Sequence, residues 1–398
     1  MNWKERIINT IKGKPVDFLP FVPRLDIWYQ SNSINNTLPK KYKGSTLKEI
    51  VKDLGLGLHT VIPDFRNFLS RDSQALLGLG IYNLKSNPYR INLNNIDYKY
   101  KTDSEGLTSS IFYTPYGEVV VKTLYTERMK SDGSSLGHTV EHAIKNINDF
   151  KALSYIFERI EVEENYNNFL DFKKFIGDDG VSVAFCSLSA SPMHHIMKEL
   201  ISFEKFIYEL NDHPEQLTEL AEKISIFFDK VILISNGCEA DVIFLGANYD
   251  SLLTWPLFFK KYITPYLKKY SKMVHECSKF FLTHADGENE GLIQEYVSAE
   301  VDIADSICPY PMTRLKIKDI RMAFQRKITI WGGIPSVCIL EEAMSDYEFD
   351  KFMNEFFIQI ENGDHLILSF ADAVPPGAKF ERIEKVAKIA KNFKLGFL

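Results

Sequence analysis

The sequence lacks the features that direct a chain to an oxidising compartment or to a membrane. Its 398 residues include only five cysteines, which are scattered and form no C-x-x-C pair, so a disulfide framework is not expected. No apolar run approaches the about 18 residues of a membrane span, and the first residues, Met1-Asn-Trp-Lys-Glu-Arg, contain no apolar signal region. These absences predict a soluble cytoplasmic protein that does not associate with a membrane.

A dominant charge of one sign is also missing. The formal net charge is −6, and 47 basic and 53 acidic residues are mixed along the chain, so the sequence shows no electrostatic footprint for nucleic acid. No G-x-G-x-x-G follows a predicted strand, which argues against a dinucleotide-binding fold. Hydrophobic residues make up 45% of the sequence, which is enough for one large core and predicts a single domain over 1–398.

Short apolar runs bounded by turn residues predict six strands in the second half of the chain, with helices between them. The strands are expected at 181–187, 241–247, 279–284, 301–305, 327–332 and 365–370, and the helices at 192–210, 214–236, 256–278, 289–298, 316–325, 340–361 and 378–393. Two weaker apolar segments, 18–23 and 60–63, raise the number of strands to eight. Eight strand–helix units predict the α/β class and a (β/α)8 TIM-type barrel, although an open doubly wound sheet gives the same repeat.

The pattern changes between 91 and 125. Residues 98–101, 109–112 and 118–124 alternate between side chains of different polarity, and turn residues separate them at 103–106 and 115–117. Such a pattern is typical of antiparallel strands joined by tight turns. We therefore predict an inserted β-meander at about 91–125, which would serve as a lid or as one wall of a pocket.

Polar residues follow the ends of the predicted strands. Because ligands bind at the carboxyl ends of parallel strands, these residues are candidates for the functional site. They are Arg24 and Asp26 after 18–23, Asn248, Tyr249 and Asp250 after 241–247, His284 and Asp286 after 279–284, Asp305 and Cys308 after 301–305, and Asp372 after 365–370. His195, near the start of a predicted helix, is a further candidate for binding a substrate.

Five short motifs in this order resemble the uroporphyrinogen decarboxylase superfamily of (β/α)8 barrels, which also includes corrinoid-dependent methyltransferases. They are Trp3-Lys-Glu-Arg-Ile with Gly13-Lys-Pro-Val-Asp17-Phe-Leu-Pro20, Phe280-Phe-Leu-Thr-His-Ala-Asp-Gly287, Asp305 with Pro309-Tyr-Pro311-Met312, Trp331-Gly-Gly-Ile-Pro335, and Leu368-Ser-Phe-Ala-Asp-Ala-Val-Pro-Pro376. The resemblance spans nearly the whole chain apart from the meander.

Departures from the family pattern favour its methyltransferase branch. The decarboxylase carries an arginine-rich M-R-Q-A-G-R segment after its first strand, whereas the matching segment 22–29 retains only Arg24. A substrate with many carboxylates needs several cationic partners. The single arginine therefore argues against a substrate with many carboxylates and favours methyl transfer. The alternative is decarboxylation of a smaller carboxylic acid or a porphyrinogen-like substrate, with Arg24 binding the carboxylate.

The resemblance also implies a metal site. Family members that methylate a thiol have zinc ligands in the pattern H-x-C with a distant cysteine, and here His284, Asp286 and Asp372 stand at those positions. One imidazole and two carboxylates are ligands that zinc accepts, and Cys308 is an additional candidate. The same three residues are the predicted catalytic residues. The plainer interpretations, a buried histidine, a helix-capping Asp286 and an Asp372 that holds the turn at 375–376, stay open.

The family's methyltransferase branch implies transfer of a methyl group between a small molecule and a corrinoid. The chain has no D-x-H-x-x-G cobalamin signature, so the corrinoid is expected on a separate partner protein. The carboxylate-rich site suits an aryl methyl ether or another O- or N-methyl compound, so the enzyme could be an O-demethylase. The direction of transfer, a homodimer and a non-catalytic barrel that binds a ligand stay open. Residues predicted to bind the substrate are Arg24, Asp26, Asn248, Tyr249, Asp250 and His195.

Overall fold

A six-stranded parallel sheet forms the centre of the computed structural model, which describes residues 1–393. The strands are β1 (Tyr89–Leu93), β2 (Asp97–Thr102), β3 (Leu107–Thr114), β4 (Gly117–Leu124), β5 (His138–Glu141), β6 (Ile160–Glu164), β7 (Val183–Ser187), β8 (Val242–Ala247), β9 (Phe280–His284), β10 (Ile303–Ile307), β11 (Thr329–Pro335) and β12 (Leu366–Ala371). The parallel sheet has the order β12-β11-β10-β9-β8-β7.

Helices alternate with these strands. They are α1 (Trp3–Ile11), α2 (Asp26–Ile34), α3 (Leu47–Asp53), α4 (Glu127–Ser131), α5 (Asp149–Glu158), α6 (Tyr166–Ile176), α7 (Pro192–His195), α8 (Phe203–Asp212), α9 (Pro214–Gly237), α10 (Pro256–Phe258), α11 (Thr264–Glu276), α12 (Ile293–Ser298), α13 (Ile317–Phe324), α14 (Asp346–Gln359) and α15 (Phe380–Asn392). None of the helices in the described part of the chain combines the length and the apolarity that crossing a membrane requires.

The α/β class and the six strands of the second half are confirmed. Each observed strand boundary lies within three residues of the predicted one. Strands β7, β8, β10, β11 and β12 are buried along their whole length. A parallel strand covered on both faces reads as a continuous apolar run, which is why the sequence pattern located these strands.

An eight-stranded closure is not formed by regular strands within residues 1–393. Segment 18–23 contributes one parallel bridge, between Phe21 and Leu368, and segment 60–63 contributes no strand. Pro20, Pro23 and Pro63 interrupt these two segments. Because proline has no backbone N–H, it cannot donate to a strand ladder.

The two segments nevertheless connect the edges of the parallel sheet through a few hydrogen bonds, and the amide of Leu368 also donates to Pro20 O at 2.8 Å. The amide of Val22 donates to Leu368 O of β12 at 2.9 Å, and the amide of Gly57 donates to Phe21 O at 3.3 Å. The hydroxyl of Thr60 donates at 2.6 Å to the carbonyl of Val181, just before β7. Extended chain thus lies between β12 and β7 without forming a ladder.

Four predicted helices differ from the observed ones. The helix expected at 289–298 begins at Ile293, and the helix expected at 256–278 contains a π-helical turn at Phe259–Ile263. The helix expected at 192–210 consists of α7, a π-helical turn at Ile196–Leu200 and α8, and it is interrupted because Ile201 adopts extended dihedrals (φ −142°, ψ 150°). The helix expected at 340–361 begins at Asp346. Its start is set by a capping box, in which the Ser345 side chain and Glu348 satisfy each other's backbone amides.

The antiparallel strands lie in the region predicted for the meander and beyond it. A four-stranded sheet has the order β2-β3-β4-β5, and β1 pairs separately with β6. The sheet therefore extends to 138–141, past the expected end at 125, and β6 at Ile160–Glu164 lies outside the predicted meander.

Candidate active site

Three parallel strands bring ionisable side chains to one place at their carboxyl ends. His284 is the last residue of β9, Asp305 lies on β10, and Asp372 follows β12 directly. His284 and Asp305 are partners in the parallel register, and Asp286 follows β9 by two residues. This is the face on which ligands bind in sheets of this kind.

His284 is surrounded by carboxylates. Its Nδ1 lies 2.6 Å from Asp305 Oδ2, and its Nε2 lies 3.3 Å from Asp372 Oδ1 and 3.6 Å from Asp286 Oδ1. The histidine is buried, with a relative exposure of 3%. The predicted catalytic residues His284, Asp286 and Asp372 are therefore together, and Asp305 joins them.

This arrangement favours a charged imidazole. Burial lowers the pKa of His284, but Asp286, Asp372 and the hydrogen bond to Asp305 outweigh that effect and raise it to about 9. Burial raises the pKa of Asp305, but hydrogen bonding and charge from His284 and His59 prevail and lower it to about 2. At neutral pH the pair is an imidazolium donating from Nδ1 to a carboxylate.

Arg24 is held between two carboxylates. Its Nη1 donates to both oxygens of Asp372 at 2.9 Å, and its Nε donates to Asp26 Oδ1 at 3.0 Å. Burial raises the pKa of Asp372, but the Arg24 guanidinium opposes it and the net shift is downward. The predicted substrate-binding residues Arg24 and Asp26 thus bind each other, and Arg24 also orders Asp372.

The predicted zinc ligands do not fit a metal ion as they are placed. Among residues 1–393, no group of three or more His, Cys, Asp or Glu side chains has an arrangement that could hold one. Both oxygens of Asp372 accept from Arg24, whose positive charge repels a cation at the same oxygens. Burial raises the pKa of the Cys308 thiol to about 12, and a protonated thiol is a poor ligand.

Asn248 and Lys198 fix the position of Asp286. Asn248 Nδ2 donates to the two Asp286 oxygens at 3.2 and 3.0 Å, and Lys198 Nζ donates to Asn248 Oδ1 at 2.9 Å. Because lysine can only donate, it decides which end of the Asn248 amide faces Asp286. Asn248 has φ +61°, a left-handed conformation that asparagine tolerates.

Three predicted substrate-binding residues are used in contacts within the protein. The Tyr249 hydroxyl pairs with Thr283 at 2.8 Å, and the Asp250 carboxylate accepts the amide of Leu252 at 2.8 Å. His195 Nε2 lies 2.9 Å from the carbonyl of Leu79. Burial lowers the pKa of His195 to about 4, so this ring is neutral at physiological pH.

The sequence pattern missed two residues of the site. His59 Nε2 lies 3.8 Å from Asp305 Oδ1, so Asp305 lies between His59 and His284. The His59 ring packs edge-on against Trp331. Lys198 lies on the π-helical turn, a feature that often occurs at functional sites. The sequence could have indicated His59, because this histidine directly precedes the predicted strand at 60–63. Nothing in the sequence pattern indicated Lys198.

Two adjoining cavities open beside the cluster. The smaller, about 310 Å³, is lined by Arg24, Asn248, His284 and Asp372. The larger, about 1150 Å³, is lined on one side by residues of β2 to β5 and on the other by residues of the α7–β8 region, Asn248 among them. The residues that line both cavities are Phe65, Ser135, Leu136, Leu188 and Asn248. The antiparallel sheet is therefore one wall of the larger cavity.

The chain matches no known protein-family profile, and no curated protein matches it in sequence. Its structure is similar to that of a methyltransferase from Methanosarcina mazei, with a TM-score of 0.53, 15% sequence identity and 98% of each chain covered. At this identity the similarity concerns the fold alone. The fold and the site together define an α/β protein with a buried, carboxylate-bound histidine at the carboxyl ends of its parallel strands.

Proposed function

We propose that the protein is a methyltransferase that moves a methyl group between a small O- or N-methyl compound and a corrinoid carried by a separate protein. The observation that carries the proposal is His284, a buried imidazole held by Asp305 beside a cavity of about 310 Å³. The shared fold with a methyltransferase supports the reaction class. The methyltransferase branch of the decarboxylase superfamily, with six strands and two extended segments as its barrel, is part of the proposal.

His284 is placed to supply a proton to a leaving oxygen. A methyl group bonded to oxygen is hard to displace unless the oxygen is protonated as the bond breaks. Asp305 holds Nδ1–H, so the proton on Nε2 is the one directed toward Asp372, Asp286 and the cavity. The C–O bond breaks, the oxygen keeps the bonding pair and takes this proton, and the imidazole becomes neutral.

The remaining residues orient the acid and its carboxylates. Arg24 fixes Asp372, and Lys198 fixes Asn248 and through it Asp286. A corrinoid in the Co(I) state, bound to its carrier protein, supplies the nucleophile that accepts the methyl group. No step here uses a metal ion bound to this chain, because the residues do not fit one.

The alternative decarboxylase function lacks the residue it requires. It needs Arg24 to bind the substrate carboxylate, but this guanidinium already donates to Asp372 and Asp26. An incoming carboxylate would also meet the carboxylates around His284, and like charges at short distance repel. We therefore do not advance this function.

The proposal is tested by mixing the protein with reduced cob(I)alamin and a panel of O-methyl and N-methyl compounds, and following methylcobalamin formation by absorbance. With an O-methyl donor, His284→Gln should lower kcat by about 100-fold or more, as expected for loss of a general acid. The matched control is His275→Gln, which removes another histidine bonded to an aspartate, Asp302, at 2.7 Å, and should leave kcat unchanged.

Two results would count against the proposal. One is a folded wild-type protein that transfers no methyl group from any donor in the panel. The other is transfer that His284→Gln leaves undiminished. Release of carbon dioxide from a small carboxylic acid would instead support the decarboxylase function.

A further inference from the structure

Glu199 is a buried carboxylate that lines the larger cavity, and no cation in the described part of the chain donates a hydrogen bond to it. Its relative exposure is 7%, and it lines the cavity of about 1150 Å³. Its oxygens accept only the hydroxyl of Tyr82 within the described part of the chain, at a long 3.4 Å each. A carboxylate in such a place normally has a counter-ion or several strong hydrogen bonds.

The charge of the neighbouring Lys198 opposes the rise that burial causes in the pKa of Glu199, but Lys198 donates no hydrogen bond to this carboxylate. Its three ammonium hydrogens are matched by three acceptors, the carbonyls of Leu188 and Ala247 at 3.3 Å and Asn248 Oδ1 at 2.9 Å. An ammonium group has only three donors, so none remains for Glu199. Lys198 therefore points its ammonium group toward Asn248, which lines both cavities.

Aromatic rings stand beside the carboxylate. The rings of Phe65 and Tyr82 are 5.2 Å apart, and both line the cavity with Glu199. Tyr100 on β2 and Tyr125, directly after β4, also line it. The face of an aromatic ring attracts a cation, and an organic ammonium group also gains from apolar contact with the ring.

The charges around the adjoining site favour a cation as well. The cluster contains four carboxylates, Asp26, Asp286, Asp305 and Asp372. The cations bound to them directly in the described part of the chain are Arg24 and His284, and Lys198 acts on Asp286 through Asn248. An excess of negative charge in a cleft concentrates cations and disfavours anions.

Four other basic residues line the larger cavity, and they do not cancel the negative charge of Glu199. Arg66 and Lys130 are paired with Asp64 and Glu127. Arg71 and Lys101 are exposed, where water and salt screen their charge. Lys198 also lines the cavity, but its three hydrogens go to Leu188, Ala247 and Asn248, so the Glu199 oxygens are left to accept from a cation of the ligand.

We propose that Glu199, Tyr82 and Phe65 form a subsite for an organic ammonium group of the methyl donor. The inference deepens the proposed function by naming the substrate class. The ammonium is either the methyl-bearing nitrogen or a second group on an O-methyl donor. In both cases the cation lies between the carboxylate and the aromatic rings, and the ligand extends toward the cavity shared with His284.

Calorimetry with choline and its neutral carbon isostere, 3,3-dimethylbutan-1-ol, tests the subsite on the full-length protein without a corrinoid. Choline should bind at least about tenfold more tightly than the alcohol, because only choline carries the charge. Glu199→Gln should remove most of this difference and leave the affinity for the alcohol unchanged. The control Glu127→Gln removes a carboxylate of the same cavity that is 85% exposed, and it should bind choline like the wild type.

Equal affinities for the two ligands would overturn the inference, as would choline that does not bind or a folded Glu199→Gln protein that keeps the preference. If Glu199→Gln does not fold, Phe65→Leu serves in its place and must weaken choline more than the alcohol. An unchanged preference in that variant would equally reject the subsite.

The binding result is separate from the reaction. If choline binds preferentially but no donor gives transfer, the subsite is retained and the proposed function is rejected. If transfer occurs without a preference for choline, the proposed function is retained and the subsite is rejected. Transfer from choline but not from 2-methoxyethylamine would identify the ammonium nitrogen as the methyl-bearing atom. The opposite result would identify it as a second group on an O-methyl donor.

Discussion

His284 Nδ1 and Asp305 Oδ2 lie 2.6 Å apart on neighbouring strands β9 and β10, in direct register, and both residues are buried. The pairing fixes the ring orientation and leaves Nε2 to face Asp372, Asp286 and the cavity. A carboxylate that accepts from one nitrogen of a histidine determines which proton the other nitrogen offers. The chemistry proposed for this site depends on that relationship.

Asp305→Asn should lower the pKa of His284 below its value of about 9, because a neutral amide no longer stabilises the imidazolium. It should also reduce kcat for an O-methyl donor most at alkaline pH, where the lower pKa leaves less of the acid protonated. NMR titration of the His284 ring, assigned with His284→Gln, measures the pKa. A ring that titrates as in the wild type would show that Asp305 does not control it.

The pH dependence of stability provides a second check. The pKa of His284 rises from 6.5 to about 9 on folding, so its charge contributes stability that is complete below pH 6.5 and is lost as the pH rises through 9. A shift of this size corresponds to about 3 kcal/mol. Urea unfolding of the wild type and His284→Gln at pH 6 and pH 9 should show a smaller stability difference at pH 9. A difference that does not change with pH would contradict the raised pKa.

The sequence allowed the parallel strands to be located because each is buried on both faces and is bounded by turn residues. It also placed His284, Asp286 and Asp372 together, since all three follow strand ends. The sequence could not predict the pairing of Asp372 with Arg24, because the two residues are 348 positions apart. Without that pairing, two carboxylates and a histidine indicate a metal site.

Other differences arise from the backbone. Segments 18–23 and 60–63 are apolar like strands, but their prolines cannot donate to a ladder, so they make only a bridge and isolated hydrogen bonds instead of regular strands. Lys198 lies on a π-helical turn within a segment whose apolar spacing predicts one continuous helix. The spacing of apolar residues does not distinguish an α-helical turn from a π-helical one. The sequence therefore did not indicate Lys198 and Glu199 as site residues.

The wall formed by the antiparallel sheet should control the affinity for the substrate. Thr123 of β4 lines the larger cavity, and Thr123→Trp should fill part of it and raise KM by about 10-fold while kcat changes little. Glu118 lies on the same strand, is exposed and does not line the cavity, so Glu118→Trp is the control. Steady-state kinetics with one donor measures both values. An unchanged KM in Thr123→Trp would mean that the substrate binds elsewhere.

Replacing Arg24 should convert the site into one that binds zinc. Arg24→Met removes the guanidinium that donates to both oxygens of Asp372 at 2.9 Å, so that carboxylate becomes available beside His284 and Asp286. One imidazole and two carboxylates are an accepted zinc ligand set, and both carboxylates already lie within 3.6 Å of His284 Nε2. Elemental analysis after zinc addition and dialysis should find more zinc in Arg24→Met than in the wild type. The double variant Arg24→Met/His284→Gln is the control, because it lacks the imidazole and should lose the added zinc. Equal zinc in Arg24→Met and the wild type would show that the ion pair with Arg24 is not what keeps these ligands from a metal.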